Sequence, residues 1–234
     1  MRGRLVSRSN PPMTLNPAVL ALWVVPFLLA VVFHEWAHGY VAKRLGDDTA
    51  SVLGRLTLNP LAHIDPVGTL ALPALLMVTG SPFMFGWAKP VPVSFGRLRN
   101  PRRDMVLVAM AGPAMNLVLA AVSAAGLAVI GQVATGLPES SAGGLRVAEP
   151  LAIMCTMSLQ LNVVLAVFNM LPIPPLDGGR VAVGLLPREL GYRLAQLEPY
   201  GFFIIMALLM THTLDFILGP LTRGILGALI SVFV

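Results

Sequence analysis

Uncharged apolar windows alternate with short polar or charged segments along most of the chain. Residues 9–33, 66–88, 105–138 and 150–176 contain no Asp, Glu, Lys or Arg. Each is long enough to reach across a hydrocarbon core of about 30 Å, which takes roughly 20 helical residues. The first helix is expected to start at Asn16, a capping residue followed by Pro17 in the first helical position. It should end near Gly46, where Lys43 and Arg44 suit the negative end of the helix dipole. The opening MRGRLVSR is like the basic part of a signal peptide, but no cleavage-site pattern follows the apolar stretch, so the helix reads as retained.

Residues 47–65 are polar and hold two turn signals, Asn59-Pro60 and Asp65-Pro66. Residues 66–80 are apolar but short for a span and are interrupted by Gly68 and Pro73, which predicts a re-entrant or interfacial segment. In residues 85–95, Pro90 and Pro92 remove alternate donors and force extended backbone, so an edge strand or small hairpin is expected. A second long span starts at Asn100-Pro101 and ends near Gly131 to Gly136. Residues 138–149 form a polar connection. A third clear span covers 150–170 and is stopped by Pro172, Pro174 and Pro175. A short helix near 181–186 precedes a helical hairpin of residues 200–210 and 216–234, the second arm broken at Gly219-Pro220.

This pattern predicts an all-α polytopic membrane protein with five to six membrane helices, a re-entrant segment and a small β-hairpin. It divides into a tail (1–15), a membrane core (16–186) and a C-terminal helical hairpin (187–234). Composition agrees: 56% of residues are apolar and 12% charged, and mean hydropathy is +0.79, whereas a soluble domain carries about twice that charged fraction. A soluble globular protein is excluded. The net charge of +5 does not point to nucleic acid, because no basic run is interleaved with aromatics; the arginines fall at span edges as topology signals. The single cysteine, Cys155, lies inside an apolar window, so neither a disulfide framework nor a cysteine-based zinc site can be built, and a small buried hydrophobe is expected.

The first span ends in His34-Glu35-Trp36-Ala37-His38. On a helix, two histidines four apart project from one face and can share a metal ion, and Glu35 is placed to activate a water there. Three ionisable groups inside a span are costly unless paired or functional. A catalytic zinc site needs a third protein ligand and an open position. Asp177 is the main candidate: three prolines unwind the chain before it and glycines follow it, so its carboxylate can face a cavity at membrane depth. The alternatives are that Asp177 only caps the helix beginning near Arg180, and that Asp65 or His63 is the third ligand.

These motifs resemble those of the site-2 protease family of intramembrane zinc metalloproteases. HEWAH is similar to the family's HExxH, residues 169–178 to its NxxPxPxLDG, and Ala111-Gly112-Pro113-Ala114-Met115-Asn116 to its AGPxxN signature. Residues 85–93 resemble the extended hairpin beside the active site of family members. The resemblance covers residues 16–186 and lies with the short subgroup lacking a PDZ domain. It implies one zinc ion held by His34, His38 and Asp177, with Glu35 as general base. It also implies hydrolysis of peptide bonds within or beside transmembrane helices of membrane-protein substrates. Asn169 and the extended edge of Lys89, Pro90, Val91, Pro92 and Val93 are expected to bind the substrate, the edge by pairing with it as an added strand.

For Asp177 to meet the histidines, the chain must cross the membrane an even number of times between them. Two clear spans intervene, so residues 66–80 cannot cross fully. The shared side then collects most of the Lys and Arg, which makes it cytoplasmic by the positive-inside rule, in a bacterial-type cell membrane. Asn169 could instead cap its own helix, and Asn116 reads first as an interhelical contact. His63 reads first as a turn residue paired with Asp65 and second as a neighbour of the metal site. A metal transporter using the same ligands, or an inactive relative that only binds membrane helices, are the competing functions.

Overall fold

In the computed structural model, which describes residues 17–79, 86–136 and 142–234, helices account for nearly all regular structure and no strand forms among the described residues. The helices are α1 (Pro17–Arg44), α2 (Thr49–Val52), α3 (Leu72–Val78), α4 (Pro101–Gly136), α5 (Ala142–Asn169), α6 (Asp177–Leu185), α7 (Arg188–Ala195), α8 (Gly201–Met210) and α9 (Thr213–Phe233). Five stretches are long and apolar enough to cross a membrane: Val24–Arg44, Pro101–Thr135, Val147–Asn169, Arg188–Met210 and Thr213–Phe233. The protein is an all-helical membrane protein of the expected class.

Helix α4 is the hub and packs against α1, α5, α6 and α9. Its seam with α5 is built from Ala120 and Ala124 against Leu159, Val163 and Val167. Lipid tails are as apolar as these side chains, so the seam is held by close packing, which small residues allow, rather than by hydrophobic burial. A second cluster joins Ala42 of α1 and Val108 of α4 to Leu98. A third joins Leu171 to Ile205 and Leu214, tying the C-terminal hairpin to the chain leading into α6.

Helix α1 ends as its sequence predicts. Gly46 takes a positive φ of 112°, Gly46 N–H donates to Lys43 O at 3.3 Å and Asp47 N–H to Ala42 O at 2.9 Å. This is the paired closure that a glycine past the helix end permits. Helix α4 starts as predicted too, with Asn100 N–H donating to the buried Asp104 carboxylate at 2.8 Å. Asn16 and the tail lie outside the described residues.

Four expectations need correction. Residues 142–149 are helical and belong to α5, with Pro150 inside the helix. Helix α9 runs unbroken through Pro220; membrane helices tolerate proline where neighbouring groups satisfy the freed carbonyl. Cys155 is half-buried rather than buried. Finally, the hairpin is not formed among the described residues: 86–94 are irregular, and the expected turn at 80–85 lies outside them. Pro90 and Pro92 leave too few donors for a ladder. The remaining ones go elsewhere, Trp87 N–H to Gly68 O and Lys89 N–H to His63 O. Residues 66–78 form a wide helical turn at Pro66–Ala71 followed by α3. Asp65 caps it by accepting from Val67 and Gly68 N–H.

Candidate metal centre and active site

His34 and His38 lie one turn apart on α1, their rings meeting edge to face with centroids 4.7 Å apart. Asp177 is the first residue of α6, and the cap position is held by Leu176, with no side-chain capping bond. The Asp177 carboxylate is therefore not consumed by its own helix. Its Oδ2 lies 3.1 Å from His34 Nε2 and 3.3 Å from His38 Nε2. All three side chains are about nine-tenths buried, at 10%, 11% and 11% exposure. The chain reaches this position through a close backbone approach: a Cβ on Gly178 would stand 2.2 Å from Met170 O, so only glycine fits.

Hydrogen bonds fix the tautomer that each imidazole takes in its neutral form. Asn116 Nδ2 donates to Asn162 Oδ1 at 2.7 Å and to Ala30 O at 3.2 Å, which turns Asn116 Oδ1 towards His34 Nδ1, 2.5 Å away. His34 Nδ1–H therefore donates to Asn116. His38 Nδ1–H likewise donates to Val108 O at 2.7 Å. With both Nδ1 atoms protonated, each neutral imidazole presents a bare lone pair at Nε2. These two nitrogens stand 3.0 Å apart, beside a buried carboxylate oxygen that has no hydrogen-bond partner.

As two neutral imidazoles and a carboxylate, three electron-pair donors packed at 3.0 to 3.3 Å repel one another unless a cation sits among them. Their nature and spacing fit a tetrahedral zinc ion with bonds of about 2.0–2.1 Å. Among the described residues, this is the one group of three metal-ligating side chains that converges. The Nδ1–H bonds to Asn116 and Val108 are of the kind that orient histidines able to hold a metal.

A cavity of about 230 Å³ opens beside the three ligands, lined also by Glu35, Asn169, Arg180 and Phe95. Of the residues expected to bind substrate, Asn169, Pro90, Val91 and Val93 line it. Lys89 and Pro92 do not: Lys89 is exposed, and its carbonyl and that of Pro90 accept from Arg55 Nη2 at 3.1 and 3.2 Å. Asn169, the last residue of α5, donates from Nδ2 to Leu165 O. Glu35 accepts the Val91 N–H at 2.7 Å. His63 is not paired with Asp65; its Nε2 bonds Thr57 O at 2.9 Å, because Asp65 is occupied as a helix cap. His63 lines a separate cavity between α1 and residues 60–73.

Two features of the site go beyond the motif reading, which quoted Gly112 without giving it a role. One is Gly112, which presents bare α4 backbone to the histidines: a Cβ there would lie 2.4 Å from His38 Nε2 and 2.6 Å from His34 Nε2. The other is the polar chain behind Asn116, in which Asn162 Nδ2 donates to Ser158 O and Ser123 Oγ bonds Ser158 Oγ, each at 2.8 Å. Polar residues inside an uncharged span were the available signal for it.

Comparison with known proteins gives a match to Peptidase family M50 over residues 22–212. The protein named "Putative zinc metalloprotease YwhC" of Bacillus subtilis (strain 168) is 36% identical over 230 residues, covering 95% of this chain and 93% of the relative. "Putative zinc metalloprotease Rip2" of Mycolicibacterium smegmatis is 31% identical over 84% of this chain and 70% of the relative. "Zinc metalloprotease MJ0392" of Methanocaldococcus jannaschii is 25% identical over 91% of this chain and 48% of its own length. No solved structure matches.

Proposed function

The chain belongs to peptidase family M50, and we propose that it is a zinc-dependent intramembrane endopeptidase. Its substrates are membrane proteins cut within or next to a transmembrane helix, as in regulated intramembrane proteolysis. The observation that carries this reading is the convergence of three buried lone pairs, His34 Nε2, His38 Nε2 and Asp177 Oδ2, at 3.0 to 3.3 Å. Zinc suits that donor set, and when bound it supplies a Lewis acid that acidifies water and polarises the scissile carbonyl.

The chain's own residues do the rest. Asn116 and Val108 hold the imidazoles in the ligating tautomer. Glu35, next to His34 and lining the same cavity, accepts the proton of the attacking water and returns it to the leaving amine. A transmembrane helix hides its carbonyls in its own hydrogen bonds, so the substrate unwinds locally before attack. Pro90, Val91 and Val93 form the wall it meets, and Asn169 Oδ1 is available to a substrate N–H. The two spans between α1 and Asp177, together with the short segment 66–78, support entry of both motifs from one side, and the lysines and arginines around it favour the cytoplasmic side.

Glu35→Gln tests the assignment. The expected variant keeps stoichiometric zinc and its fold, and membrane proteomics of cells carrying it shows uncut membrane proteins accumulating relative to wild type. Unchanged membrane-protein fragments, with Glu35→Gln as active as wild type, would favour a site that only carries metal.

A further inference from the structure

We propose that Arg180 is a carboxylate-binding residue at the mouth of the active-site cavity. The inference rests on the protease reading above, because hydrolysis of a peptide bond creates a carboxylate in this cavity. Arg180 lies three residues after Asp177 on α6, which puts the two side chains on neighbouring positions of one helix face. It lines the same cavity as the three ligands and Glu35. Among the described residues, it is the one lysine or arginine that does so. Its side chain is 39% exposed, against about a tenth for the ligands, which places the guanidinium at the cavity's open end.

The guanidinium is positioned but unsatisfied. Its Cζ lies 5.2 Å from the centre of the Phe95 ring, and Phe95 also lines the cavity. Its nearest anion is Glu198, at 3.7 Å, beyond hydrogen-bond distance. At the exposure of this pair such a contact contributes little. Arg presents five donors in a planar fork matched to a carboxylate, and here the guanidinium is held over the Phe95 ring rather than used up by bonds. A carboxylate arriving in the cavity would displace Glu198 at small cost. Two sources share this chemistry: the new C-terminal carboxylate of the cleaved fragment, and an acidic side chain of the substrate beside the scissile bond.

The test uses zinc-loaded protein in detergent and three probes: acetyl-trileucine as free acid, acetyl-trileucine amide, and acetyl-Leu-Leu-Glu amide. Binding is followed by ligand-observed NMR. Because zinc itself attracts carboxylates, the diagnostic is the acid-over-amide preference of Arg180→Gln relative to wild type at matched zinc content. That preference is expected to fall about tenfold in Arg180→Gln. In Glu198→Gln, which removes the competing anion and leaves the guanidinium, it should hold or rise. An unchanged preference in Arg180→Gln, or an equal fall in both variants, would overturn the proposal; the second result would make Arg180 a tether between α6 and the C-terminal hairpin. Arg180-dependent binding of the glutamate probe assigns the site to a substrate side chain, and its absence assigns the site to the product end. Wild-type protein that binds no zinc would fail the protease reading instead, independently of these ratios.

Discussion

Glu35 Oε2 accepts a hydrogen bond from the Val91 amide at 2.7 Å. The proposed base on α1 is thus held by the backbone of the segment that walls the cavity. The bond orients the carboxylate and leaves Oε1 for water. It also means that Val91 N–H cannot pair with a substrate strand while it holds Glu35. Since Pro90 and Pro92 have no N–H, any contribution of the segment to the proposed substrate binding would come from its remaining carbonyls and side chains rather than from a full ladder of donors. Val91→Pro, which removes the amide, should lower kcat about tenfold or more and leave zinc content near wild type. Val91→Ala, which keeps the amide, should stay within a few-fold. Equal losses in the two variants in a cleavage assay would show that the side chain, 6% exposed, matters rather than the bond.

Gly112 should tolerate no side chain at all. The methyl of alanine would occupy the space facing both Nε2 atoms, 2.4 and 2.6 Å from them, where a shared ion must lie. Neither imidazole can retreat, since each is anchored at Nδ1. Gly112→Ala is expected to be helical and membrane-inserted but to lose zinc by at least tenfold in affinity, read by metal analysis of the purified protein. Full zinc occupancy in this variant would contradict the site geometry.

The sequence made the span-forming helices and the metal motifs legible for one physical reason: both depend on spacing along the chain. The i, i+4 histidines and the uncharged windows need no tertiary information. Interruptions by proline were read less well. Pro150 and Pro220 look like helix ends in a scale built on water-soluble proteins, but membrane helices carry internal proline more readily. The extended segment shows a different limit. Its prolines correctly excluded a helix, but only the fold shows that its free donors are taken by Gly68, His63, Glu35 and Asp47 rather than by a second strand. Asn162 was one more polar residue in an apolar window until α4 and α5 packed and placed it behind Asn116.

Asp47 joins the end of α1 to this segment and should make stability pH-dependent. It is 1% exposed. Its carboxylate accepts from the Thr49 hydroxyl and amide and from Ser94 N–H at 2.6 Å. Burial works to raise its pKa, but the bonds from Thr49 and Ser94, with Arg97 nearby, outweigh it and hold the carboxyl below the ordinary value. A folded pKa below the unfolded value of about 3.9 contributes stability that is present above that value and is lost as pH falls through the folded one. Asp47→Asn should therefore lower thermal stability at pH 7 by about 1–3 kcal/mol, and the gap to wild type should close on acidification below about pH 4. A gap that is constant with pH, measured by thermal unfolding in detergent, would show that the charge contributes nothing.

Asp177 decides between this site and other uses of paired histidines. If its carboxylate served only to start α6, asparagine would replace it well, because Asn and Asp are near-equal caps. The structure places Leu176 at the cap, with no side-chain bond to the helix, and turns the Asp177 Oδ2 to both imidazoles. An amide in that position keeps the shape but loses the charge. If it turns its NH2 inward, it donates to a histidine lone pair that a metal needs. Asp177→Asn should accordingly hold zinc at an intermediate level and show very little cleavage. Asp177→Ala, which removes the ligand outright, should weaken zinc by more than the roughly 10- to 100-fold that losing an outer contact costs and be inactive. Wild-type zinc content and cleavage in Asp177→Asn would remove Asp177 from the ligand set, leaving the convergence of its carboxylate with His34 and His38 as an ion pair within a packed helix junction.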